Sequence, residues 1–180
     1  MSRFEVIDRP PRTIMEVFKM LPEGTLAELI DGVIYMSPSP IRPHQRIVSL
    51  LSARITVFVE ENDLGEAYVA PFDVYLDEEI NAVQPDIVFV SKERLSIIDP
   101  IGHIHGTPDL VVEVLSTGTK KYDQEKKKEL YERFGVKEYW IIDPSTKETK
   151  GFTLQSGKYF ESFKASGKIQ SSLLNETFLF

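Results

Sequence analysis

The sequence predicts an α/β protein: a mixed β-sheet with helices packed on it, ended by an antiparallel meander. Three observations carry this expectation. "DLVVEV", a charged helical stretch from about Lys121 to Phe134, and "KEYWIID" make a strand–helix–strand unit, and a crossover of that length joins parallel strands. Upstream, "AYVAPFDVYL" and "DIVFV" are apolar runs joined by the polar stretch "DEEINAVQ". Downstream, "GFTLQSGKYFESFKASGKIQSSLL" places Ser-Gly turns between short runs, the pattern of a meander.

The elements follow in chain order. Thr13 to Leu21 reads as a short helix ended by Pro22. In "LAELIDGVIYM", Asp31 and Gly32 lie between two short apolar runs, the signal of a two-residue hairpin. "SPSPIRP" is a loop whose Pro43 suits the first position of a helix. From His44 to about Glu61, Ile47, Val48, Leu50, Leu51, Ile55, Val57 and Phe58 recur at helical spacing, so this helix lies against the sheet. After Gly65 come the two runs named above, then a loop rich in Gly, Pro and His, then the crossover unit. Gly135 stops its helix and Pro144 its last strand.

With 180 residues, no internal repeat and no linker, the chain is expected to form one domain, 1–180. No apolar run approaches the roughly 18 residues of a membrane span, and "MSRFEVIDRPPR" has no apolar stretch of a secretory signal. The absence of cysteine excludes disulfides and thiolate metal sites and fits a reducing cytoplasm. Carboxylates and His44, His103 and His105 are then the candidate metal ligands. The net charge of −7 does not suggest a protein that coats nucleic acid. Lys120, Lys121, Lys126, Lys127 and Lys128 are nevertheless crowded together, either as a solvated helix face or as a local basic patch.

"PDLVVEVLSTGT" poses the sharpest chemical question. Its apolar run is that of a strand covered on both faces, yet Glu113 sits within it, and a carboxylate taken out of water needs a cation, a donor or a metal. Asp109 shares its strand and face, but four residues at about 3.3 Å each put the two some 13 Å apart, too far to share one ion. If "DIVFV" and "DLVVEV" pair antiparallel, setting Asp86 opposite Glu113 sets Val90 opposite Asp109, and both strands begin and end where the sequence says they should. Opposed side chains have Cβ atoms about 5 Å apart, close enough for two carboxylates to grip one divalent cation. The blander reading has Asp86 merely opening a strand and Glu113 exposed at an edge.

On the following helix, Lys127 falls on the same stripe as Leu130, Tyr131 and Phe134, whereas Lys126 and Lys128 lie on the flanks. An inward ammonium there is within reach of Glu113, because a crossover helix packs on the strand before it; its stem could equally snorkel past the apolar face. His44 continues the stripe of Val48, Leu51, Ile55 and Phe58, as an active-site group or a hydrogen-bonded structural one. Glu28, just before the hairpin turn, is either a ligand or the polar position of a strand.

An acid, a glutamate on the next strand and an inward lysine follow the logic of the PD-(D/E)XK nucleases. "AELIDGVIYMSPSP", "QPDIVFV", "PDLVVEVLSTGT" and "YDQEKKKELYERFGVKEYWIIDP", in that order, resemble the Uma family of bacterial proteins, regarded as candidate endonucleases of the restriction-endonuclease-like fold. The resemblance runs from about Thr13 to the C-terminus and implies an αβββαβ core. It implies that Asp86 and Glu113 bind the metal, with Glu28 and the carbonyl of Val114 as further ligands and His44 at the site. The superfamily's lysine normally lies two residues after the glutamate, where this chain has Leu115. Lys127 matches the family's Asp-X3-Lys-X3-Tyr pattern at Asp123, Lys127 and Tyr131, and is the candidate for a migrated lysine.

The implied chemistry is phosphodiester hydrolysis assisted by Mg²⁺ or Mn²⁺, in which Lys127 positions the water or offsets developing charge. Lys120, Lys121 and Lys126 would contact the phosphate backbone of a nucleic acid, with DNA the expected substrate. Cutting both strands with one site per chain would favour a homodimer. Two other functions fit the same residues: a nuclease-fold module that binds nucleic acid or protein without cutting, and a hydrolase of small phosphate esters.

Overall fold

A computed structural model of the chain describes residues 9–100, 102–116 and 123–180. Its centre is a six-stranded sheet built around "LVVEV". That strand, β8 (Leu110–Val114), is buried at every position, because it lies between two neighbours and is covered on both faces. On one side β6 (Ile87–Ser91) pairs antiparallel; on the other β9 (Glu138–Ile142) pairs parallel, as the crossover predicts. β3 (Gly65–Val69) closes one edge beyond β6. β10 (Glu148–Gln155) and β11 (Lys158–Ser166), joined at Ser156-Gly157, extend the other edge beyond β9.

The β6–β8 register is the one the sequence predicts. Ile87 faces Val112, Val88 faces Val111 and Phe89 faces Leu110; one further step in each direction sets Asp86 against Glu113 and Val90 against Asp109.

Each sheet face has its own apolar core, and the strand alternation decides which side chains enter it. Ile87, Phe89, Leu110, Val112 and Val114 meet Ile47, Val48, Leu51, Ile55 and Val59 of α2 (Arg42–Glu61). Val88, Val90, Val111 and Leu115 face the other way, toward Leu130 and Tyr131 of α3 (Lys128–Phe134). Glu113 shares that second face with Val111 and Leu115, so its carboxylate points at the crossover helix. Gly135, at φ 83°, caps α3 in the left-handed conformation, as its place in the sequence suggests.

Three expectations are corrected. "AYVAPFDVYL" is not one strand: β3 ends at Val69, and after Pro71 the chain passes into a different sheet as β4 (Val74–Tyr75). Proline has no N–H for a ladder, so the break falls there. The molecule therefore holds more than one sheet. β1 (Ala27–Ile30), β2 (Val33–Met36), β4, β5 (Ala82–Val83) and β7 (Ile104–His105) form a second sheet of five strands. "DEEINAVQ" is not a plain connection, because the Asp77 carboxylate accepts from the amides of Glu79, Ile80 and Asn81 and so turns the chain into β5. Finally, the crossover helix opens with a π-helical turn, Asp123–Lys127, before becoming regular at Lys128.

The tail is antiparallel as predicted but divided: β12 (Lys168–Ser171) and β13 (Glu176–Leu179) make a separate two-stranded ribbon. The short first helix, α1 (Ile14–Lys19), is capped by the Thr13 hydroxyl and packs Met15 and Phe18 against the five-stranded sheet. Among the described residues no helix is long and apolar enough to cross a membrane.

Candidate active site

The sheets and helices bring Glu28, Asp86, Glu113, Lys127 and His44 to one place. Glu113 comes from the middle of the central strand, Asp86 from the residue before β6, and Glu28 from buried β1. Lys127 stands at the junction of the π turn and α3, and His44 in the first turn of α2. All five line a cavity of about 600 Å³ that is also bounded by Tyr35 and by the loop from Ser37 to Ile41.

Lys127 is 5% exposed and Glu113 4%, so this ammonium and carboxylate meet away from bulk water. The Lys127 Nζ lies 2.9 Å from Glu113 Oε1 and 3.0 Å from Glu28 Oε1. The ammonium thus stands between the two buried carboxylates and bonds an oxygen of each. The Tyr131 hydroxyl also donates to Glu113 Oε1, at 2.7 Å. Burial first, then the Glu113 and Glu28 carboxylates, push the Tyr131 pKa well above the ordinary phenol value, so it stays a neutral donor.

Asp86 is more accessible and is fixed differently. Its Oδ2 accepts the backbone N–H of Val114 at 2.7 Å and faces His44 Nε2 at 3.1 Å. The first contact ties Asp86 to the strand of Glu113; the second ties it to α2. His44 is 6% exposed, and its other ring nitrogen, Nδ1, is buried without a hydrogen-bond partner among the described residues.

Glu28 is held from a third direction, because the backbone N–H of Gln84 donates to its Oε1 at 2.9 Å. The Gln84 amide then donates to the Thr25 carbonyl at 3.1 Å and to Asp73 Oδ1 at 2.8 Å. Gln84 and Tyr131 are the site neighbours that sequence reasoning did not assign. Gln84 lies two residues before Asp86, and Tyr131 one helical turn after Lys127, but neither position by itself reveals the distant carboxylate that each donates to.

Asp109, the acid of the second Pro-Asp pair, is fully buried at the far end of β8, where Arg94 and Lys137 Nζ each lie 2.8 Å from its Oδ1. It belongs to a structural ion pair. Lys126 meets the cavity-lining Tyr35, with Nζ 3.3 Å from its hydroxyl and 5.7 Å from the centre of its ring. Lys120 and Lys121 lie outside the described residues.

Among the described residues, no group of three or more His, Asp or Glu side chains is placed to hold a metal ion. The donor set nevertheless fits Mg²⁺ or Mn²⁺. Such ions take hard oxygens, and Mg²⁺ is usually held by one or two carboxylates and completes its shell with water and substrate phosphate. Asp86 and Glu113, opposed across β6 and β8 on a cavity wall, supply such a pair.

A mixed sheet flanked by helices, with a parallel crossover at its centre, defines an α/β protein of the restriction-endonuclease-like fold class. The chain belongs to the Uma2 family, described as "Putative restriction endonuclease", whose model matches residues 15–175. A crystal structure of "a putative nuclease belonging to DUF820" from Anabaena variabilis ATCC 29413 is similar, with a TM-score of 0.67. The two are 22% identical, over 84% of this chain and 86% of that one, a likeness that establishes the fold. No curated protein matches the chain.

Proposed function

We propose that this protein is a divalent-metal-dependent nuclease that hydrolyses phosphodiester bonds in DNA within a single domain. One observation carries the reading. Lys127, offered by the crossover helix, sits 2.9 Å from Glu113 in a cavity shared with Asp86, the acid opposite Glu113 in the strand register.

In this reading Asp86 and Glu113, with the carbonyl of Val114, would hold Mg²⁺ or Mn²⁺. The bound ion would supply a polarised phosphate and a water of lowered pKa. Lys127 would orient the attacking water and offset the charge that develops on the phosphate. Glu28 and Tyr131 keep the lysine and Glu113 in place, and His44 orients Asp86. Leu115, at the usual lysine position, is 3% exposed in the apolar core with Leu130, which is why the cation has to come from the helix. Lys120, Lys121 and Lys126 contact the backbone of the substrate, and a homodimer would present two sites to the two strands.

The test is plasmid cleavage with and without Mg²⁺ or Mn²⁺, for wild type, Glu113→Gln and Lys127→Ala. Wild type should nick or linearise DNA only with metal, and both variants should lose at least about a hundredfold in rate. Cleavage unaffected by Glu113→Gln would sink the assignment. A second reading, a module that binds nucleic acid without cutting, draws on Leu115 and on the direct contact of Lys127 with Glu113. It predicts oligonucleotide binding with no metal-dependent cleavage.

A further inference from the structure

A second cavity, of about 260 Å³, opens beside the first turn of α2. Arg42 and Arg46 line it from the helix, Lys147 and Pro144 from the turn after β9, and Leu50 and Phe180 complete its apolar floor. We propose that it is a phosphate subsite for the nucleic-acid strand on which the candidate active site acts.

The charge pattern points there. Many lysines and arginines among the described residues are engaged: Arg9 with Glu16, Lys19 with Glu78, Lys92 with Asp63, Arg94 and Lys137 with Asp109, Arg133 with Asp31, Lys158 with Glu132. Among the described residues, Arg42, Arg46 and Lys147 make no side-chain ion pair or hydrogen bond, yet all three converge on one cavity. Arg42 and Arg46 are one helical turn apart and share a face of α2. Like charges so placed repel each other and stabilise the fold less than neutral residues would, so the arrangement suits an anion that neutralises them.

Position points the same way. The two cavities flank the same turn of α2: His44 and Gln45 line the larger, Arg42 and Arg46 the smaller. In the parallel β8–β9 pair, Val114 stands beside Ile142, and Pro144 follows two residues later. At about 4.8 Å between strands and 3.3 Å per residue, Pro144 at the edge of the subsite lies roughly 8 Å from Val114 and roughly 11 Å from Glu113, a spacing of a few nucleotides along a strand. Lys147 is held at φ 60° in its turn, with its amide bonded to the Asp143 carbonyl at 2.8 Å, which presents its side chain on the cavity side. A volume below the roughly 300–1,000 Å³ of ligand pockets suits a phosphate and its sugar better than a dinucleotide cofactor.

This proposal rests on the nuclease reading for its substrate, so its test is separated from catalysis. Binding of a fluorescein-labelled 20-base-pair duplex is followed by anisotropy in EDTA at several salt concentrations. The proteins are full-length wild type, the triple variant R42A/R46A/K147A and the charge control R12A/R54A. The triple variant should bind at least tenfold more weakly, and its log affinity against log salt should be shallower by about two to three, while the control follows wild type. Equal affinity and slope in wild type and triple variant overturn the subsite, as does an equal loss in the control or the absence of duplex binding by wild type. A parallel Mg²⁺ cleavage assay separates the two ideas. Loss of binding in the triple variant together with no cleavage by wild type supports the subsite and removes the nuclease reading.

Discussion

Lys127 answers the question raised by Glu113, and it does so at a cost that can be measured. The ammonium is shared by two buried carboxylates, Glu28 and Glu113, so removing it leaves like charges facing each other out of water. Lys127→Met is therefore expected to destabilise the fold by about 3–5 kcal/mol, read by urea denaturation, and combining it with Glu28→Gln should recover part of that loss. A loss that is simply additive would show that the two side chains are not coupled. Tyr131→Phe removes one donor while Lys127 still serves the same Glu113 oxygen, so it should cost only about 1 kcal/mol. Its metal-dependent cleavage should fall further than its stability does. At this scale the sequence reached the inward lysine through helical periodicity. It did not reach the phenol's partner or the Gln84 amide on Glu28, because hydrogen bonds between distant segments leave no periodic trace.

Strand β8 carries two acids with opposite uses, and each end of the element sets the difference. At its N-terminal end burial pushes the Asp109 carboxyl up, but hydrogen bonds from Lys137, the Ser91 amide and Arg94 outweigh burial and hold it below the usual range. Folded Asp109 thus stays ionised at a pH where the unfolded chain, at about 3.9, would take up a proton. Its stabilisation is present above that value and is lost as pH falls through the lower folded value. Asp109→Asn should cost about 2 kcal/mol at neutral pH and flatten the acid limb of a stability-versus-pH curve below about pH 4. An unchanged acid limb would refute this. Further along the sheet, β10 approaches Trp140 so closely that a Cβ on Gly151 would lie 2.5 Å from its ring. Gly151→Ala should displace the chain's one tryptophan, with a red-shifted emission and a lower midpoint of unfolding. The alternating burial of β8 and the Asp86–Glu113 register were legible in "DIVFV" and "DLVVEV", since period-two patterning and strand ends fix a register.

For the whole molecule, a metal held between β6 and β8 would link ligand binding to stability. Mg²⁺ at ten times its dissociation constant should stabilise wild type by about 1.4 kcal/mol, and Asp86→Ala should abolish the effect while binding of R42A/R46A/K147A to Mg²⁺ stays as in wild type. A thermal shift that survives Asp86→Ala would place the ion elsewhere. By itself the sequence determined the fold class, the crossover, the register of the two acidic strands and the helix face that turns Lys127 inward. These follow from local periodicity, turn residues and the cost of burying a lone carboxylate. Only the tertiary structure decided that "AYVAPFDVYL" divides between two sheets, that a π turn precedes α3, that Glu28 shares the lysine and that Arg42 and Arg46 meet Lys147. Those outcomes depend on which distant segments pack together, and the pairing of surfaces is a property of the folded chain that no single stretch of it encodes.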